Sequence, residues 1–274
     1  MPELPEVETV RRGLAERLIG RRIEAVTLRQ RCLRWPISSG FEQALIGRCV
    51  QGLDRRGKYL QLRLSGGVTW LVHLGMSGQL RVHDRRALPS PGRHDHLDVL
   101  FDGDIAIRYS DPRRFGSMHV YAGSDDAQPL LARLGFEPLS PELTAAALWA
   151  RLRGRRLAIK QALMDATIVA GVGNIYANEA LFRAGIRPSI PAGRLGRARC
   201  ERLVAALRQV LQEAIAAGGS TLRDFLHADG NTGTFQLDYF VYGRLNQPCR
   251  RCGSRLRGVR LGNRASIYCP RCQR

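Results

Sequence analysis

Four of the seven cysteines stand in two pairs, Cys249-x-x-Cys252 and Cys269-x-x-Cys272, with 16 residues between the pairs. At that spacing each pair offers two thiolates to one side of a tetrahedral ion, and the segment between them can double back as a hairpin. Four sulfur ligands close the coordination sphere. The expectation is therefore one structural Zn2+ that folds a small module and takes no part in a reaction. Two disulfides would use the same residues, but no segment reads as a secretory signal, and cytosolic thiols stay reduced. Nine arginines and no acidic residue lie between 243 and 274. Arg250, Arg251, Arg255, Arg257, Arg260 and Arg264 thus give the module a basic fringe suited to gripping phosphate. Cys32, Cys49 and Cys200 are scattered and read as buried or inert.

A second constellation opens the chain as Met1-Pro2-Glu3. Removal of Met1 would expose the secondary amine of Pro2, and an α-amino group with a pKa of ~8 is an available nucleophile near neutral pH. Attack on a sugar C1′ would displace the base and leave an iminium, an electron sink for strand elimination. Glu3 and Glu6 lie about one turn apart and could move protons. The same residues also suit a plain helix start, a proline followed by acids that complement the positive helix end.

Three turns carry further candidates. Gly171-Val-Gly-Asn174 precedes a helical stretch; its glycines would let backbone amides approach a phosphate, with Asn174 as helix cap. Asp111-Pro-Arg-Arg-Phe-Gly116 sets two arginines and an aromatic on a turn between strands. Phe115 either folds back into the core or projects as a wedge for stacked bases, with an arginine filling the vacated space. His73-Leu-Gly-Met76-Ser-Gly has the same character, a flexible apolar side chain on a glycine-flanked turn.

The elements that must position these groups fall into two halves. A helix is expected over 2–18, with Val7, Val10, Leu14 and Leu18 as its apolar stripe. From about 21 to 121 short alternating runs, separated by Ser65-Gly-Gly and Asp102-Gly turns, point to a β-sandwich or barrel. Residues 122–140 read as a linker, followed by helices over 143–152, 157–166, 174–184, 195–217 and 221–226. The fold class is α+β and multidomain. Its expected parts are 1–121 (helix plus β-sandwich), the linker 122–140, a helical DNA-binding domain 141–242, and a four-cysteine zinc finger 243–274. The net charge of +19 and pI near 10.9 call for a polyanionic partner, and nucleic acid leads. No apolar run of membrane-spanning length or lipidation motif is visible, so a cytoplasmic protein with no membrane partner is expected. Lys58 and Lys160 are the only lysines among 43 basic residues. Either they survive by chance, or their positions need a compact charge rather than a planar fork.

Taken together, MPELPEVET, RRGKYL, HLGMSG, YSDPRRFG, LMD…VAGVGNIYANEALF, DFLHADG…VYGR and the cysteine quartet resemble the formamidopyrimidine-DNA glycosylase family from end to end. The resemblance implies a bifunctional enzyme, glycosylase and abasic-site lyase, acting as a monomer on double-stranded DNA with oxidised bases or abasic sites. By that likeness Pro2 is the nucleophile, Glu3 the main acid/base residue, Glu6 its support, and Lys58 sits near the lesion's phosphate. Met76, Arg113 and Phe115 would fill the space left by a flipped nucleotide. His73, Asn174 and Arg264 would hold the bent backbone, with Arg223 and Tyr242 as further contacts. Lys160 would lie in a helix–two-turns–helix element and contact DNA. Residues near 220–237 would cover the extruded base.

Two departures bear on lesion preference. Arg223 stands where a lysine is familiar in the family, and the covering loop Ala228-Asp-Gly-Asn-Thr-Gly-Thr-Phe-Gln differs from the expected sequence. The implied substrates are 8-oxoguanine opposite cytosine and formamidopyrimidines. The alternatives are an endonuclease VIII-like enzyme for oxidised pyrimidines and a non-catalytic zinc-finger DNA-binding relative.

Overall fold

In the computed structural model, Pro5 occupies the first turn of α1 (Leu4–Leu18), where a missing amide proton is harmless. The helix starts two residues later than its sequence pattern suggests because Glu3 is its N-cap, and the Glu6 carboxylate accepts the Glu3 amide at 2.8 Å. Val7, Val10, Leu14 and Leu18 are at most 3% exposed, and α1 lays this stripe against β2 and β3. The structure describes residues 2–218 and 239–274. Met1, Arg223, the expected helix at 221–226 and the whole of the expected covering loop near 220–237 lie outside them.

The next elements are β1 (Ile23–Leu28), the short α2 (Phe41–Leu45), β2 (Val50–Arg56), β3 (Tyr59–Leu64), β4 (Val68–His73), β5 (Gln79–Asp84), β6 (Asp95–Phe101), β7 (Ile105–Ser110) and β8 (Ser117–Ala122). They form two separate four-stranded antiparallel sheets, β1-β6-β7-β5 and β2-β3-β4-β8. Leu60, Leu62, Trp70 and Val72 from one sheet share a single core with Leu97, Val99, Ile107 and Tyr109 from the other. The choice left open by the sequence thus resolves to a sandwich rather than a closed barrel.

The first compact unit runs to Ala132, at the end of α3 (Pro129–Ala132), and Arg133 begins the second. The second unit holds α4 (Ala145–Leu152), α5 (Ile159–Met164), α6 (Asn174–Arg183), α7 (Arg197–Ala216), β9 (Arg257–Leu261) and β10 (Arg264–Tyr268). Thr144 caps α4 by accepting the Ala147 amide at 3.1 Å. Leu203, Leu207, Val210 and Leu211 of α7 join Leu148, Leu163, Ala177 and Leu181 in one helical core. α5 stops at Met164, short of the expected 166, because Asp165 turns the chain by accepting the Thr167 amide at 2.9 Å. α5, two turns and α6 follow one another as the resemblance implied. In the finger, Gly262 and Asn263 both take positive φ (53° and 59°), the two-residue turn that matches the twist of β9 and β10. Among the described residues no helix is long and apolar enough to cross a membrane.

Candidate active site and metal centre

The head of α1 gathers the amino-terminal candidates. Pro2 is half-buried, while Glu3 and Glu6 are only 2% and 6% exposed. With its carboxylate on the Glu3 amide, Glu6 fixes the first turn and so orients Glu3 and the residue before it. Six residues on from Pro2, Glu8 accepts hydrogen bonds from Arg11 (2.9 and 3.0 Å), Arg12 (2.9 Å) and Arg55 (3.2 Å). Burial alone would raise the Glu8 carboxyl, but the hydrogen bonds of Arg11 and Arg12 and the charges of Arg11 and Arg55 hold it at about 2. Arg55 also donates to the Gly57 carbonyl at 3.1 Å. Glu8 and Arg55 therefore tie α1 to the β2–β3 turn, where Gly57 takes φ 58° and Lys58 follows it half-buried.

Lys58 and His73 share an electrostatic neighbourhood. Tyr59 pairs with His73 across β3 and β4, with ring centroids 4.8 Å apart. Burial, then the charges of Lys58 and Arg34, push the His73 imidazole down to about 4. Its Nδ1 accepts the Gly75 amide at 3.0 Å, which leaves the proton on Nε2 as a neutral donor.

The two turns bearing Met76 and Phe115 are locked to each other by Asp111, which is fully buried. Its Oδ1 accepts the Ser77 hydroxyl at 2.6 Å, and its Oδ2 accepts the Gly116 amide at 2.8 Å and the Tyr109 hydroxyl at 3.1 Å. Glycine is required where the turns meet. A Cβ on Gly75 would lie 2.4 Å from the Phe115 backbone, and one on Gly116 would lie 1.9 Å from the Tyr109 hydroxyl. On this rigid base Phe115 is 44% exposed, with the Arg113 guanidinium 4.6 Å above its ring. The folded-back alternative for Phe115 is thereby excluded, and Met76 sits half-buried on the facing turn.

In the second unit two sequence expectations are corrected. Gly173, not Asn174, is the N-cap of α6; Asn174 is its first residue, and its carbonyl accepts from the Asn178 side chain at 2.7 Å. Lys160 is 1% exposed, and its ammonium donates to the Ala265 carbonyl and the Ser266 hydroxyl, both at 2.7 Å. It acts as an internal strut between α5 and β10 and is not available to a phosphate. Two residues to which the sequence reading gave no role complete this framework. Asn178 accepts the Ile267 amide at 3.0 Å, and Glu179, 3% exposed, accepts the amides of Phe240, Val241 and Tyr242 at 2.8–2.9 Å. Glu179 thus places Tyr242, whose ring meets Tyr239 edge-on at 5.4 Å. Asn178 and Glu179 both lie within the VAGVGNIYANEALF stretch, so the signal was present without its meaning.

The Sγ atoms of Cys249, Cys252, Cys269 and Cys272 all lie within 4.8 Å of one another. The Cys249–Cys272 and Cys252–Cys269 separations are 4.0 and 3.5 Å. A tetrahedral ion with Zn–S bonds of ~2.3 Å needs sulfurs about 3.8 Å apart, so the donor set fits zinc. The Arg251 and Cys272 amides donate to the Cys249 and Cys269 sulfurs at 3.4 Å, orienting both side chains toward the cluster. Arg264 is exposed at the start of β10, directly after the hairpin turn.

Comparison with known proteins covers the chain in three segments. Residues 1–118 match the formamidopyrimidine-DNA glycosylase N-terminal domain, 134–226 its H2TH domain, and 246–274 the zinc finger found in FPG and IleRS. A formamidopyrimidine-DNA glycosylase of Halorhodospira halophila is 53% identical over 274 residues, with both chains covered in full. The Lactococcus lactis FPG in complex with FAPY-dG-containing DNA superposes with a TM-score of 0.88 at 32% identity, covering 99% of this chain and 100% of that one. The wild-type L. lactis enzyme with oxidised-pyrimidine-containing DNA gives 0.88 at 33% identity, covering 100% of each.

Proposed function

The chain belongs to the formamidopyrimidine-DNA glycosylase family, and from that premise we propose that it repairs duplex DNA by excising oxidised purines through its Pro2 amine. The substrates are 8-oxoguanine opposite cytosine, formamidopyrimidines and abasic sites. It works as a monomer in the cytoplasm. The observation that carries the reading is the capped head of α1, where Glu6 holds the Glu3 amide and Pro2 precedes two buried carboxyl groups.

With Met1 attached, the Pro2 nitrogen is an amide and inert. Once it is freed, the amine attacks C1′ and gives up its N–H proton, the C1′–N bond to the base breaks, and that bond's electron pair leaves with the base, which takes up the proton. Glu3 protonates O4′ as the sugar ring opens, and the nitrogen lone pair forms the iminium with C1′. Loss of a C2′ proton then expels the 3′ phosphate, and a second elimination expels the 5′ phosphate, leaving a one-nucleotide gap. Lys58 and the His73 Nε2–H hold phosphate oxygens during these steps. Phe115, Met76 and Arg113 occupy the emptied stack, with Arg113 toward the orphaned base. In the second unit Asn174, Tyr242 and Arg264 take backbone phosphates, Arg264 on a hairpin that bound zinc keeps folded. Arg223 adds a contact from the covering loop.

Borohydride trapping on a duplex with one 8-oxoguanine opposite cytosine tests the proposal. Wild type should form a covalent adduct that Pro2→Gly abolishes. An adduct of equal yield from Pro2→Gly would move the nucleophile elsewhere. Adducts on oxidised pyrimidines alone would favour the endonuclease VIII-like reading, and binding without any adduct would favour the non-catalytic one.

A further inference from the structure

The loop between β1 and α2 is pinned at two points and turns the residues between them outward. Leu33 and Ile37 are buried in the sandwich core at 6% and 5% exposure, while Arg34 and Trp35 are exposed, Trp35 to 37%. A bridge between Cys32 and Pro36, and the Leu33 amide donating to the Trp35 carbonyl at 3.2 Å, make the loop tight. The Arg34 guanidinium lies 4.8 Å over the Trp35 ring, and the indole also rests 5.7 Å from the His119 imidazole. The Arg34 amide donates to the Gly116 carbonyl at 3.0 Å, so this loop is bonded directly to the turn that carries Phe115.

The neighbouring arginines are spent otherwise. Arg29 pairs with Asp98 and Arg31 with Glu42, whereas among the described residues no carboxylate pairs with Arg34. An unpaired guanidinium stacked on an exposed indole presents a charge beside an apolar ring face, a surface matched to a partner that offers an anion next to an apolar group. The Arg113–Phe115 stack repeats the arrangement across the same backbone hydrogen bond. Arg34 also contributes, with Lys58, to the positive field at His73. An anionic polymer that reaches Phe115 and His73 therefore runs past Arg34.

We propose that Arg34 and Trp35 form a separate strand contact beside the Phe115 turn, Arg34 taking a backbone phosphate and Trp35 packing against the adjoining deoxyribose. This rests on the protein's being a DNA glycosylase that opens the stack with Phe115. The contact grips the strand next to the point where that side chain enters, so the strain of the opened step is held locally.

The test is duplex binding by the full zinc-bound chain as a function of salt, on a duplex with one tetrahydrofuran abasic analogue. Arg34→Gln should lower affinity about 5-fold near physiological salt and reduce the slope of log K against log salt by about 0.9, one phosphate's worth. Trp35→Ala should weaken binding with the slope retained, and Trp35→Phe should restore most of it. Arg31→Gln, which removes an arginine already paired with Glu42 on the same loop, serves as the control and should leave both affinity and slope at wild-type values. An unchanged slope in Arg34→Gln, or an equal loss in Arg31→Gln, would overturn the proposal. Trapping with wild type in parallel separates the two readings, because a missing adduct condemns the enzymatic one while the slope still judges the contact.

Discussion

The Asp111 carboxylate accepts the Gly116 amide at 2.8 Å, and this bond holds the turn on which Phe115 stands exposed. Because Oδ1 also receives the Arg113 amide at 3.3 Å and Oδ2 the Gly116 amide, Asp111 cannot be replaced by an amide without setting its NH2 against a backbone N–H. Asp111→Asn should cost about 2 kcal/mol and lower the melting temperature of the first unit by roughly 4–8 °C. Excision of 8-oxoguanine should fall further than cleavage at a preformed abasic site. A variant that melts and excises like wild type would deny Asp111 this role.

Phe115 itself is expected to act when a base must leave the stack. Phe115→Ala should slow excision roughly 30-fold, about 2 kcal/mol of lost support for the flipped state. Binding to an abasic analogue, where no base has to be extruded, should change little. Single-turnover rates and equilibrium binding decide it, and equal losses in both would deny the wedge role.

Much of this site was legible because its signals are local. The cysteine pairs, the Ser65-Gly-Gly and Asp102-Gly turns, the alternating strands and the stripe of α1 each depend on residues a few positions apart. What stayed hidden depends on partners far along the chain. Lys160 meets Ser266 across 106 positions and Glu179 meets Tyr242 across 63, so neither side chain's destination can be read from its neighbours. The escape of Lys160 from replacement by arginine was visible, but not that its ammonium lies buried on Ala265 and Ser266. Arg34 and Trp35 were passed over because one arginine among so many carries no pattern until its stacking and hydrogen bonds are seen.

The pH behaviour of His73 follows from its surroundings. Its folded pKa of about 4 lies below the ordinary 6.5, so the unfolded chain takes up the proton first. Stability from the neutral ring is therefore fully present above pH 6.5 and is lost as pH falls through 4. His73→Gln should flatten the acid limb of the stability curve within that window. Imidazole signals in NMR spectra of the free protein should show His73 still neutral at about pH 5.5. A titration midpoint near the ordinary value would refute the assignment of a neutral Nε2–H donor.

Lys160 should matter to the finger more than to DNA charge. Lys160→Met leaves the Ala265 carbonyl and the Ser266 hydroxyl without their donor, a loss of about 2 kcal/mol in the second unit. Zinc should then be surrendered faster to a chelator, while the salt dependence of duplex binding keeps its wild-type slope. A slope reduced by about one would make Lys160 a phosphate contact after all.

Zinc removal tests whether the finger is required at all. Cys252 lies 3.5 Å from Cys269 in the sulfur cluster, and β9 and β10 form a two-stranded hairpin too small to be stable alone. Cys252→Ser should abolish bound zinc by elemental analysis and lower duplex affinity by at least ~100-fold, because the hairpin that presents Arg260 and Arg264 no longer holds its shape. The sandwich, with its own core, should keep its melting transition. Chelation of wild type should reproduce the loss, and added zinc should reverse it in wild type but not in the variant. If the zinc-free protein bound an abasic-site duplex as tightly as the native one, the finger would be an appendage and the phosphate grip would have to lie wholly on other residues.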